Sequence, residues 1–455
     1  MHISATLFSG LALVSSALAS TKYVVCSLTR KGVAIPGFDF GCDIDGTCPL
    51  DDTIKPPLTE LGGADGPAQM EHYVDNVGMN VFRLPITWQY LVNGELGDMD
   101  KTMFGNFDKL VKACLKTGAY CMIDLHNFAR FDVGIIGQGG PSNEVFGDIW
   151  SQIASNYADE NRVIFGLMNE PHDLDVNLWA DSCQAAVTAI RKTGAKEQII
   201  LLPGTNFTSA ESFVSTGSAD ALAAITNPDG SKDGLYMDVH KYLDINNSGT
   251  HEECTTDNVE AFRGLAEWLR KNKRKAMISE SGASMDPTCM EKFCTQNDFI
   301  ASNSDVFEGF VAWGAGSFSF EYILTLTPSG GPGDYTDNKL MTECVIAPFL
   351  ADGPTDLYSS SSTKTKTSTK TTKTKTSSHS KTAEATTATT SETDRVFKET
   401  TASAPSETST APPMSNASTS DDDDDDSAGV RSTGFLTGGL LFATLALLHT
   451  GIRLF

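Results

Sequence analysis

RVIFGLMNEPHD, residues 162–173, runs from an apolar segment straight into an amide, a carboxylate and a proline. Pro171 has no N–H to give to a sheet, so a central strand cannot continue through it and must close at about Glu170. A glutamate placed there is either a turn residue facing water or a group held for chemistry. The pattern recurs, and the recurrence sets the fold. Apolar, β-branched-rich runs lie at 32–40, 79–86, 119–127, 162–170, 198–206, 235–242, 275–280 and 307–314. Helical patterns such as NFDKLVKACLKTG, EVFGDIWSQIASNYAD, LWADSCQAAVTAIRKTG and NVEAFRGLAEWLRKN lie between them, and Gly118 and Gly194 fit helix stops. Strands alternating with helices imply a parallel sheet. Eight such units predict an α/β fold, a closed (β/α)8 TIM barrel.

Polar and aromatic residues gather at the C-terminal ends of these runs: Arg83, His126 and Asn127, Asn169 and Glu170, His240 and Tyr242, Glu280, and Trp313. Taken singly, each is most simply a turn residue. Parallel strands of a barrel aim all of these ends at one face, and that face carries barrel active sites. Glu170 and Glu280 are the glutamates that close such runs, the fourth and the seventh. Side chains from those places can meet across the mouth, and a carboxylate pair across a cleft is what glycoside hydrolysis requires. One carboxyl must keep its proton to give to the leaving oxygen, which calls for a raised pKa. The other must stay ionised, which calls for cations and donors nearby. Arg83 fits an ionised Glu280, although a barrel-mouth salt bridge would account for it equally well. Tyr242 can donate to the same carboxylate. Asn169 suits a sugar 2-hydroxyl. His126 and His240 can bond other hydroxyls or tune the glutamates. Trp313 offers a flat face to a pyranose ring, or belongs to the core. His172 and His251 read as structural, and Trp150, Trp179 and Trp268 as helix-to-barrel packing.

The ends of the chain read differently. Residues 1–19 are apolar and finish in Ala17-Leu18-Ala19, as a secretory signal peptide does. The barrel is expected over 22–355. Residues 356–429 are rich in Ser, Thr and Lys and poor in aromatics, which predicts a disordered, O-glycosylated Ser/Thr-rich stalk. Residues 430–455 end in an apolar tail that is short for a span of ~20 residues and fits a GPI-attachment signal, with Asp426, Ser427 or Asn416 as attachment candidates; a single-span anchor is the alternative. The expected location is extracellular, at the cell surface or wall, with membrane contact only through that anchor. The run Asp421–Asp426 contributes to a net charge of -24, which argues against nucleic acid as a partner. Ten cysteines in a secreted chain favour disulfides. Cys42 and Cys48 flank a short turn, and Cys114 and Cys121 flank a helix-to-strand junction; spacing leaves the remaining pairing open. No C-x-x-C with a matching His pair and no H-x-H near the first strand suggests a metal. Neither a metal nor an organic cofactor is expected, and a monomer is.

GFDFGC, FRLPITWQYLVN, DLHNFAR, GQGGP, IFGLMNEPHD, DVHKYLDINNSGTHEECTT and GFVAWGAGSF, in this order, resemble the fungal endoglucanases of glycoside hydrolase family 5 over about residues 30–350. The resemblance implies a (β/α)8 barrel that cleaves β-1,4-glucan with retention. It implies Glu170 as acid/base, Glu280 as nucleophile, and Arg83, His126, Asn169, His240, Tyr242 and Trp313 as the shell around the attacked sugar. Retention calls for carboxyls ~5–5.5 Å apart. The resemblance also implies the bridges Cys42–Cys48, Cys114–Cys121, Cys254–Cys289 and Cys294–Cys344, and leaves Cys26 and Cys183 without a counterpart, so that a fifth bridge between them stays open. The expected partner is a β-glucan polysaccharide. A β-1,3-glucanase, a β-mannanase or a wall transglycosylase would use the same pair, whereas a non-catalytic wall protein would have no use for both glutamates. There are departures from the family pattern. SESGA (279–283) stands where TETGG is usual, and Phe131 and Phe207 stand at cleft positions often held by Trp. Asn206-Phe207-Thr208 is a glycosylation sequon near the mouth. With no carbohydrate-binding segment ahead of the barrel, soluble or wall glucan is expected rather than crystalline fibre.

Overall fold

The structure, a computed structural model, describes residues 28–349. The signal segment, Cys26, the stalk, the acidic run and the apolar tail lie outside the described residues.

Eight parallel strands close a barrel in sequence order. They are β1 (Arg30–Ala34), β2 (Val81–Ile86), β3 (Tyr120–Leu125), β4 (Val163–Gly166), β5 (Ile199–Pro203), β6 (Leu235–His240), β7 (Ala276–Ser281) and β8 (Phe307–Ala312). The apolar runs are strands because they are covered on both sides, by the barrel interior and by the helices outside. Alternation along each strand makes two cores. Ala34, Val81, Met122, Ile164, Leu201, Met277 and Val311 form one buried cluster. Phe82, Leu84, Ile123, Phe165, Ile200, Val239 and Ile278 belong to a second, larger one. The first lies inside the barrel, and the second packs against helices such as Lys101–Lys116, Asn143–Ser155 and Val176–Lys192. Asp100, Ser142 and Asp175 cap these three helices by accepting from backbone N–H groups of the first turn.

β7 departs from regular pairing at a decisive place. Against β6, Val239 pairs with Ile278 but His240 pairs with Glu280; against β8, Phe310 pairs with Ile278 but Ala312 with Ser281. Both neighbours therefore see one extra residue in β7, at about Ser279. Simple alternation from the inward Met277 would turn Glu280 toward the outer helices. The bulge returns it to the barrel mouth, a use of bulges common beside active sites.

The disulfides of the described residues are Cys42–Cys48, Cys114–Cys121, Cys254–Cys289 and Cys294–Cys344. The second ties the end of a helix to β3, and the fourth ties the helix Pro287–Ser302 to the turn Met341–Ile346. Cys183 is fully buried on the helix Val176–Lys192 and forms no disulfide among the described residues.

Candidate active site

Arg83 is the third residue of β2, inside the barrel and wholly buried. Its guanidinium bonds to Glu280 Oε2, to Asn169 Oδ1 at 2.7 Å and to Asp124 Oδ2 at 2.9 Å. A planar fork with several donors is suited to joining three acceptors at once, which a lysine could not do. Asp124 Oδ2 also lies 2.8 Å from His126 Nδ1. The Tyr242 hydroxyl donates to the other Glu280 oxygen, Oε1, at 2.7 Å. Both oxygens of Glu280 are thus committed to donors.

Glu170 follows β4 in the left-handed backbone region (φ 41°), immediately before Pro171. That turn raises its side chain into the mouth, where it is 16% exposed against 7% for Glu280. His240 Nδ1 lies 2.8 Å from Glu170 Oε1 and 3.9 Å from Glu280 Oε1. His240 Nε2 is 2.9 Å from Ser279 Oγ, which itself donates to Asp238 Oδ1. Ser279 has a single hydroxyl hydrogen, so with that hydrogen on Asp238 the imidazole is the donor at Nε2. One carboxylate oxygen of Glu170, one of Glu280 and one nitrogen of His240 lie within 4.8 Å of one another. Among the described residues this is a cluster with the spacing of a metal site. Its donors are already paired with Arg83, Tyr242, Ser279 and each other, which fits a proton-handling cluster better than an ion cage.

The electrostatics follow from this wiring. Burial pushes the Glu280 carboxyl up, but the charges of His240, Arg83 and His126 and the Tyr242 hydrogen bond outweigh it and hold the group below the usual range. Burial favours neutral His240, yet Glu280, Glu170 and Asp238 raise it above the ordinary histidine value. His126 is raised in the same way, chiefly by Asp124 against burial. Burial, reinforced by Glu280, raises the Tyr242 hydroxyl well above normal, so it remains a donor.

Trp313 follows β8 and closes the far side of the mouth. Its ring lies parallel to that of His126, with centroids 5.8 Å apart, and 5.6 Å from the Arg83 guanidinium. Its Nε1 donates to Tyr322 at 3.1 Å. All eight site residues expected from sequence therefore converge on one mouth. Asn127, at the same strand end as His126, does not join them. It is buried, accepts from the Trp88 backbone and donates to Gln89. Phe131 corrects an expectation. It is not a cleft platform but a buried residue of a short hairpin, edge-on to Trp88 at 5.5 Å. Phe207 does reach the cleft, stacked on His172 with centroids 4.5 Å apart. Beside Glu170 a groove of about 1480 Å³ opens, lined by Phe207, Lys241 and the loops that follow β5 and β6.

Sequence reasoning passed over Asp124, Asp238 and Ser279. A signal for the aspartates was present. IDLH and MDVH place Asp two residues before His on β3 and β6, and a period of two puts both on the same face.

The family described as Cellulase (glycosyl hydrolase family 5) matches residues 55–316. The chain belongs to glycosyl hydrolase family 5. The family 5 span contains both glutamates and all six residues around them. Endoglucanase EG-II of Hypocrea jecorina is 52% identical over 320 residues, covering 69% of this chain and 76% of that protein. Endoglucanase 1 of Saitozyma flava is 42% identical over 345 residues, covering 74% of this chain and 96% of that protein. The crystal structure of Cel5A (EG2) from Hypocrea jecorina is similar at 50% identity and a TM-score of 0.69, covering 70% of this chain and 99% of that one. This family 5 chain is therefore a glycoside hydrolase on a TIM barrel.

Proposed function

We propose that the protein is a retaining endo-β-1,4-glucanase that hydrolyses internal bonds of cellulose or related glucans by double displacement. The observation that carries this is the approach of Glu170 and Glu280 oxygens to within 4.8 Å at the barrel mouth. That approach fits the ~5–5.5 Å carboxyl separation of retaining enzymes, where inverting enzymes hold theirs ~6.5–9.5 Å apart to seat a water between them. Glu280, kept ionised by Arg83 and Tyr242, attacks the anomeric carbon and forms a glycosyl-enzyme. Glu170 gives its proton to the departing glycosidic oxygen, then takes one from the water that releases the sugar. His240 bonds Glu170 and faces Glu280, so its charge helps to hold one carboxylate while its N–H orients the other. Asn169, fixed by Arg83, is placed for the sugar 2-hydroxyl, a bond that strengthens in the transition state. Trp313 forms the floor for the attacked ring.

The β-1,4 preference is supported by the relatives, whose names are those of endoglucanases. Reducing-sugar release from carboxymethyl-cellulose, laminarin and mannan decides it: release from the first is expected, and its absence there defeats the substrate assignment.

Secretion and surface anchoring complete the proposal, on the strength of the Ala17-Leu18-Ala19 motif, the Ser/Thr-rich segment 356–429 and the apolar segment 430–455. The enzyme acts as a tethered monomer outside the cell. A phosphatidylinositol-specific phospholipase should release it from membranes, and retention after that treatment would contradict a GPI anchor.

A further inference from the structure

The groove beside Glu170 is walled by two loops, and each carries an N-glycosylation sequon. One is Asn206-Phe207-Thr208 after β5; the other is Asn246-Asn247-Ser248 after β6. Both Asn206 and Asn246 line the groove, and both are exposed. The loops are joined, since Asn247 donates to Ser209 at 3.4 Å and accepts from the Tyr242 backbone at 2.8 Å. From that structure we infer that Asn206 and Asn246 are paired glycosylation sites, and that their glycans screen the groove from bulky polymer while leaving a single soluble chain room to enter.

The asparagine side chains can carry the glycans in the folded protein. Asn206 Nδ2 donates to Ser212 at 2.8 Å, and a glycosylated amide keeps one N–H for that bond. Asn246 accepts at Oδ1 from the Ser248 hydroxyl at 2.7 Å, while its Nδ2 makes no hydrogen bond among the described residues. Thr208, by contrast, is wholly buried, bonding the Asp238 carbonyl and the Gly204 N–H, so the first sequon is built into the wall of the barrel mouth and not into a loose tip. In the modification the Asn Nδ2 forms a bond to the anomeric carbon of a sugar carried on a lipid diphosphate. The anomeric C–O bond to the diphosphate breaks, the lipid diphosphate leaves, and the nitrogen gives up one proton. The donor is supplied in the secretory pathway, so this inference rests on the proposed secretion.

The position gives the glycans a consequence. The groove adjoins Glu170, the proton donor, and lies away from Trp313, so it receives the leaving part of the chain. Branched sugars on two adjoining walls crowd an insoluble surface but not an oligosaccharide. The test uses the full chain secreted by a filamentous fungus. Glycopeptide mass spectrometry should find hexose-bearing N-acetylglucosamine on both asparagines. Trimming with an endoglycosidase that leaves one sugar should raise kcat/KM severalfold on insoluble glucan and leave it unchanged on a short cello-oligosaccharide. N206Q and N246Q each should give part of that gain. Unmodified asparagines in a chain that begins at Ser20 would overturn the inference while secretion stands; an intact N-terminal segment with unmodified asparagines would overturn both. Glycans present but no change on trimming would overturn the screening role.

Discussion

Tyr242 gives its hydroxyl hydrogen to Glu280 Oε1 at 2.7 Å, and that is one of two donor contacts that fix the charge of the attacking group. Tyr242→Phe removes the donor and little else. A hydrogen bond to a charged group contributes about 1.5–3 kcal/mol, so kcat/KM should fall by about 10- to 100-fold. Because the bond helps hold the Glu280 carboxyl low, its loss should also move the acid limb of the kcat/KM profile to higher pH. An unchanged limb would show that Glu280 is not the group that must be ionised.

Arg83 is wholly buried among Glu280, Asp124 and Asn169. Arg83→Met leaves two buried carboxylates without their cation, which should cost about 3–5 kcal/mol in stability and abolish turnover. Arg83→Lys keeps a charge but not the three-way fork, so it should fold better than the methionine variant and remain poorly active. Denaturant unfolding beside initial rates checks both. A methionine variant as stable as the parent would mean that these carboxylates are paired in some other way.

The site should make the fold acid-tolerant. Glu280 and Asp124 are held below their ordinary values, so their contribution is full above about pH 4 and is lost as pH falls through the folded values. His240 and His126 are held above theirs, so their contribution is full below about pH 6.5 and is lost as pH rises through the folded values. Burial raises Asp39 and Asp238 above the ordinary carboxylate value, so their contribution is full below about pH 4 and is lost as pH rises through the folded values. The sum places greatest stability between about pH 4 and 6.5. Thermal unfolding at buffered steps should give a higher Tm at the acid side of neutrality than at mildly alkaline pH, and the reverse order would contradict these shifts.

The barrel was legible because eight covered strands leave eight apolar runs, and because parallel strands must present their C-terminal ends together. Glu170 was legible for the same reason, although the strand itself stops at Gly166, four residues before it, and Pro171 does not end it. Strand lengths were overestimated: the run 32–40 is a strand only to Ala34, after which Phe38 makes an isolated bridge to Ile86. An apolar residue that continues past a strand looks the same whether it pairs or turns. Glu280 was found by its place at a run's end, but how it faces inward was not legible. One extra residue at Ser279 reverses the face, and a bulge leaves no mark in a run that is buried on both sides. Asp124 and Asp238 were hidden by the adjacent histidines, although the repeated D-x-H spacing held the information. Phe131 was misplaced because only the fold shows that its hairpin turns the ring toward Trp88.

The covalent step is the most direct point of test. A 2-deoxy-2-fluoro cellobioside with an activated leaving group slows both chemical steps by withdrawing charge from the sugar, and its good leaving group lets the first outrun the second. Peptide mapping of the inactivated enzyme should find the fluorosugar as an ester on Glu280, with Glu170 unlabelled. A label on Glu170, or turnover with inverted product and no adduct, would contradict the roles assigned to the two glutamates.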